Sequence, residues 1–247
     1  SRATIDVDFL LRGYPNSIED IKDLIGIIIN TPTGNNYIEM RAKGFEEISP
    51  QRKYHGISTQ IIAQIKNVRV PFNIDIGVGD IIFPSAEERT INTQLPDFEA
   101  PIIKTYSLES TIAEKFDAIL QRFELTGRMK DFYDIYYLSR TFNFDGERLQ
   151  SAIFNTLQQR GTPYDRDSFK RVVSLADDED MQKRWKYFLK TIKDDTLEFP
   201  FVIAEIQTFL EPVFDAIVNE VEWQKVWKSN AEKWSIMKEG GNCGESS

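Results

Sequence analysis

The chain has 247 residues, 41% of them hydrophobic and 12% aromatic, with 39 acidic against 30 basic side chains and a net charge of −9. That length suits one large domain or two small ones with a real core. No apolar run approaches the ~20 residues of a membrane span, and the acidic balance argues against non-specific nucleic-acid binding by the whole surface.

The stretch Arg2–Leu10 predicts a strand over 4–10, with Ile5, Val7 and Phe9 directed into a core and Asp6 and Asp8 on the other face. A charged strand at this end, without an apolar leader, predicts no signal peptide. Ser17 reads as the N-cap of a helix over 17–29, with Glu19 and Asp20 in its first turn. Ile18, Ile21, Leu24, Ile25 and Ile28 form its expected buried stripe. Strands are predicted near 37–47, 57–67 and 70–78, and Ile57, Ile61, Ala63 and Ile65 share a face of the middle one. Residues 79–100, with Pro84 and Pro96, read as a long loop. The period then becomes helical, with helices expected near 108–123, 129–140, 146–159, 166–175, 178–192 and 198–221. Pro200 falls in the first turn of the last helix, where proline is tolerated, and Pro212 is expected to kink it. Trp223, Trp227 and Trp234 suggest a final short helix on the bundle, and the polar tail from Gly240 reads as disordered. The fold class is therefore α+β: a mixed-sheet domain over 1–105, an all-helical domain over 106–239 and a tail over 240–247.

Two carboxylates at i and i+2 on one strand face, Asp6 and Asp8, repel each other. A divalent cation makes sense of them, because Mg²⁺ prefers hard oxygen ligands and commonly bridges one or two carboxylates and nucleotide phosphates. The competing reading is an exposed, charged strand face. In the strand near 70–78, Phe72, Ile74, Ile76 and Val78 share one face and Asn73, Asp75 and Gly77 the other. Asp75 is a lone acid there, with Gly77 leaving room for an approaching group. If the two strands are neighbours, Asp6, Asp8 and Asp75 form the acid set of a two-metal phosphoryl-transfer site. A strand-end acid bonded to a loop is the alternative for Asp75, and Asp80 is expected to cap a turn.

Lys115 borders the stripe Leu108, Ile112, Phe116 and Ile119. It can meet a triphosphate as a point charge, or snorkel and pair with Thr111 or Glu114. Arg128, Asp131 and Asp134 climb one side of a helix at spacings of three. They can orient a nucleotide or form an ordinary helix ion pair. Arg41, Lys43, Arg52, Lys53, Lys66 and Arg69 are compatible with a local basic groove or with solvated strand edges. The single Cys243 leaves no internal disulfide, which fits a reducing cytoplasm. The single His55 excludes a zinc site built on several histidines.

In order along the chain, Arg2-Ala3-Thr4-x-Asp6-x-Asp8-Phe9, Lys53-Tyr54-x-Gly56, Ile74-Asp75-Ile76-Gly77-x-Gly79-Asp80, Tyr106-Ser107-Leu108-Glu109-x-x-Ile112-Ala113-Glu114-Lys115 and Arg128-x-Lys130-Asp131-x-Tyr133-Asp134 resemble one family. It is the AbiEii/AbiGii-type nucleotidyltransferase toxins of the DNA polymerase β-like superfamily. The resemblance implies that Asp6, Asp8 and Asp75 hold metal, that Lys115, Arg128 and Lys53 hold nucleotide, and that Asp131 and Asp134 assist catalysis. It also implies Mg²⁺ and an NTP, a cognate antitoxin, a role in abortive infection against phage, and a tRNA end as acceptor. The superfamily's Gly-Gly or Gly-Ser turn stands about ten residues before its acid pair, whereas five residues precede Asp6 here. The expectation is thus an N-terminally truncated member, lacking that turn and the first helix. A catalytically inactive scaffold that binds a partner protein, and an enzyme that modifies a protein hydroxyl, are the alternative readings.

Overall fold

The computed structural model describes residues 6–32, 37–48, 56–78, 82, 85–93 and 98–236. It divides into two compact units, Ser1–Asp80 and Ile81–Ser247, and is α+β.

The first unit begins with strand β1, Asp6–Leu11, and helix α1, Ile18–Asn30. Ser17 caps α1: its hydroxyl accepts from the Asp20 backbone N–H at 3.1 Å, while the Asp20 carboxylate accepts from the Ser17 backbone N–H at 3.3 Å. Strands β2 (Glu39–Ile48), β3 (Gly56–Ile65) and β4 (Val68–Val78) follow. They form one sheet in the order β1-β4-β3-β2, with β1 parallel to β4 and the other pairs antiparallel. Sheet and helix meet because one face alternates apolar. Ile57, Ile61, Ile74 and Ile76 are buried with Ile21 and Ile25 of α1.

This core is narrower than the sequence predicts. Val7 and Phe9 share the face of Ile74 and Ile76 but are 42% and 53% exposed. Their strand lies at the sheet edge, and α1 packs over β2 instead. For the same reason Ile18 and Ile28 of the expected helix stripe stay exposed. Ile5 lies outside the described residues.

In the second unit, the expected loop over 79–100 holds a strand, β5, Glu87–Thr90, which pairs antiparallel with β6, Ile102–Thr105, just beyond it. The expected domain boundary at 105/106 thus differs from the division between Asp80 and Ile81. The hairpin belongs to the helical unit. Arg148 reaches Glu87 at 3.1 Å and Glu109 at 3.5 Å.

Helices α2 (Leu108–Arg122), α3 (Met129–Thr141), α4 (Gly146–Arg160), α5 (Ser168–Ser174), α6 (Glu179–Ile192) and α7 (Phe199–Val218) enclose the main core. Helix α7 buries a wide apolar face in this core, including Val202, Ile206, Phe209, Val213 and Phe214, while Phe201, Ala204, Thr208 and Asp215 lie on its exposed side. It runs as one helix through Pro212, with Pro200 in its first turn. Phe116, Phe169 and Phe214 meet ring to ring at 5.6–5.7 Å.

The expected final helix is instead a sheet. β7 (Phe144–Asp145), β8 (Lys225–Lys228) and β9 (Lys233–Ile236) pair antiparallel, with Trp227 opposite Trp234. The alternation in Lys225-Val226-Trp227-Lys228 and Lys233-Trp234-Ser235-Ile236 has a period of two, and a cross-strand tryptophan pair favours pairing. The Trp227 indole N–H donates to the Ser139 carbonyl at 2.6 Å and that of Trp234 to the Phe209 carbonyl at 3.0 Å, fastening the sheet to α3 and α7.

Candidate active site

In the first unit the site is a matter of register. Parallel pairing of β1 with β4 sets Asp8 opposite Asp75 and Asp6 opposite Asn73. Laterally paired residues share a face and neighbouring strands are ~4.8 Å apart, so Asp6, Asp8 and Asp75 occupy one side of the sheet. It is the side away from Ile57, Ile61, Ile74 and Ile76. The row through Asp75 continues to Ser58 of β3 and Glu46 of β2. The Ser58 hydroxyl donates to Asp75 Oδ1 at 2.5 Å. Asp6 and Asp8 are exposed and Asp75 is half-buried. Among the described residues, a side chain added at Gly77 would meet only the Phe9 carbonyl oxygen, at 3.9 Å, so they leave space beside Asp75.

Among the described residues no three His, Cys, Asp or Glu side chains are drawn close enough to grip an ion. Backbone register and hard-oxygen chemistry nevertheless suit Mg²⁺, because Asp8 and Asp75 are lateral partners on adjacent parallel strands. An open depression lined by Asn16, Ser17, Ile18, Glu19, Glu47 and Ile57 lies on the other face, against α1. It is acidic and apolar and does not coincide with the aspartates.

In the second unit, α2 and α3 assemble four of the expected residues. Lys115 Nζ lies 2.7 Å from Asp134 Oδ2 and 3.5 Å from Asp131 Oδ1. Arg128 Nε donates to Asp131 Oδ2 at 2.6 Å. Asp131 is 1% exposed, Lys115 19% and Arg128 49%. A carboxylate this buried requires paired cations, and Asp131 has both. Lys115 therefore pairs across helices, with Asp131 and Asp134, rather than with the local partners Thr111 or Glu114. Thr126, buried at the start of the α3 turn, accepts from the Arg128 backbone N–H at 3.1 Å and fixes that turn. Tyr133, next to Asp134, packs on Trp185 and Phe188. Burial pushes its hydroxyl above the usual tyrosine range, helped by the nearby Asp194 charge, so it stays neutral.

Lys53 and Asp80 lie outside the described residues. Sequence reasoning missed Ser58, because only the register brings it to Asp75. It also missed the buried Asp117, which holds Thr162, Gln121 (2.9 Å) and Arg160 (3.1 Å) and joins α2 to α4. The only signal for Asp117 was a charge on the apolar stripe of α2.

The described residues thus present an α+β unit with acids on two neighbouring strands and a helical unit with a lysine–arginine–aspartate cluster. The chain belongs to the family described as nucleotidyl transferase AbiEii toxin, type IV toxin–antitoxin system, which matches residues 1–220. It is therefore a nucleotidyltransferase of a toxin–antitoxin family, which implies an NTP substrate and a cognate antitoxin. No curated protein matches the chain. Among solved structures, a nucleotidyltransferase candidate from H. pylori is 12% identical, with 90% of this chain and 83% of that chain covered and a TM-score of 0.47. JHP933 from Helicobacter pylori is 11% identical, with coverages of 89% and 79% and a TM-score of 0.42. No helix among the described residues is long and apolar enough to cross a membrane.

Proposed function

We propose that the chain transfers a nucleoside monophosphate from an NTP to a hydroxyl acceptor in a Mg²⁺-dependent reaction, releasing pyrophosphate. The acceptor is the 3′ end of a tRNA, and the reaction takes place in the cytoplasm under the control of an antitoxin. The observation that carries this reading is the lateral pairing of Asp8 with Asp75 beside Asp6. These three carboxylates would hold the metal. Mg²⁺ would supply neutralisation of phosphate charge and a lowered pKa of the attacking hydroxyl.

The remaining roles belong to other side chains. The Lys115 ammonium has three donors; Asp134 takes one and orients it, and it adds positive charge for phosphates. The half-exposed Arg128 guanidinium gives Asp131 its Nε and has further N–H groups for a planar phosphate contact. Asp131 holds both cations in place, and Asp134 is the more exposed acid for positioning the acceptor. Lys53 is the third basic residue assigned to the nucleotide.

Label transfer tests this reading. The protein is incubated with Mg²⁺, each α-labelled NTP in turn and total tRNA. Label on tRNA, lost in Asp6→Ala, is the expected result and names the nucleotide. Label on protein alone would replace the acceptor. No label with any NTP, in a folded protein, would overturn the reading.

A further inference from the structure

The described residues place one polar contact behind the acid set that the reaction has not yet used. Ser58 lies on β3, directly across from Asp75, and on its other side faces Glu46 of β2. A serine hydroxyl carries one proton. Here it goes to Asp75 Oδ1, at 2.5 Å, and not to Glu46. A strand aspartate without such a contact turns about its terminal torsion, which is broad. With it, the carboxylate plane is held, and Oδ2 is left to another partner. The backbone behind the contact is firm. Ile57 and Thr59, the neighbours of Ser58, are both buried, as are Ile74 and Ile76 on either side of Asp75. Thr59 Oγ1 donates to the Gly44 carbonyl at 2.6 Å, tying β3 to the irregularity in β2. Ser58 therefore cannot drift from Asp75 without moving the sheet core.

We propose that Ser58 is a positioning residue: its hydroxyl orients Asp75 as a ligand for the divalent cation. This rests on the reading of Asp75 as a metal-holding acid. Groups that orient ligands from behind are worth about 10- to 100-fold in metal affinity or activity. The hydroxyl contributes no charge, so it tunes the carboxylate without competing for the ion.

The test is Mn²⁺ binding, followed by electron paramagnetic resonance, for the wild type, Ser58→Ala, Ser58→Thr and Asp75→Asn. Thermal melting without metal checks that each variant is folded. The transfer rate is also titrated against Mg²⁺. Ser58→Ala is expected to weaken Mn²⁺ binding about tenfold and to raise the Mg²⁺ concentration for half-maximal rate in parallel. Ser58→Thr keeps the hydroxyl on a residue suited to strands and is expected to restore both. A packing role would give the opposite pattern, with alanine tolerated and threonine disturbed. If Asp75→Asn loses Mn²⁺ while Ser58→Ala binds it as the wild type does, the Ser58 proposal is overturned and the acid set stands. If Asp75→Asn binds Mn²⁺ unchanged, the acid set falls and the proposal with it.

Discussion

Asp131 is the residue on which the helical cluster depends. It is almost wholly buried, and it meets Arg128 Nε at 2.6 Å and Lys115 Nζ at 3.5 Å. Removing one partner of a buried pair costs about 3–5 kcal/mol, because the other charge stays behind unmatched. Asp131→Ala leaves Lys115 with Asp134 and Arg128 half-exposed, so no cation is stranded and the cost is that of the lost charged hydrogen bond, about 1.5–3 kcal/mol. Urea denaturation reads this directly. A loss well under 1 kcal/mol would contradict a stabilising role for this pairing. At this scale the sequence was informative about residue type and poor about contact. The spacing of Arg128, Asp131 and Asp134 announced a charged helix side, but which lysine would face it depends on the packing of α2 on α3. Asp8 and Asp75 were recognisable as strand acids from alternation. Their pairing waited on the order of strands in the sheet, as did the contact from Ser58.

Among the elements, long periodic segments were legible and short ones were not. Helices α2, α3, α4 and α6 emerge with ends close to those read from their apolar stripes and caps. Ser107 caps α2 by accepting from the Ser110 backbone N–H at 3.0 Å, as its sequence position suggests. The hairpin β5–β6 escaped because Glu87-Glu88-Arg89-Thr90 has no apolar alternation. The sheet β7–β8–β9 escaped because three tryptophans at irregular spacing can serve a helix or a hairpin, and the turn between Lys228 and Lys233 decides. That sheet meets α4 at Gly146. A side chain there would come within 2.5 Å of the Lys225 carbonyl oxygen and 2.6 Å of the Trp223 ring. Gly146→Ala must push the start of α4 away from β8, at a cost of about 1–3 kcal/mol. Thermal melting with tryptophan fluorescence will report it. An unchanged melt and spectrum would show that the junction yields freely.

The molecule as a whole joins units of unequal cores. Among the described residues, the sheet unit buries six apolar side chains in its cluster, Ile21, Ile25, Ile57, Ile61, Ile74 and Ile76. The helical unit buries a far larger set that includes Trp185, Trp227 and seven phenylalanines. Stability follows buried apolar area. Amides of β1, β3 and β4 are therefore expected to exchange with deuterium well before those of α2, α3 and α7, through local opening of the smaller unit. Uniform protection across both units would contradict this. The acid set belongs to the unit with less core, so ligand should protect it most: Mg²⁺ with NTP is expected to slow exchange in β1 and β4 above all. The proposed reaction depends on Asp6, Asp8 and Asp75. Its most direct test is the rate of label transfer from an α-labelled NTP, with Mg²⁺, for the wild type against Asp8→Asn, which removes one charge and keeps the shape. We expect a loss of about a hundredfold or more, with folding intact by circular dichroism. A variant that transfers label at the wild-type rate would contradict it.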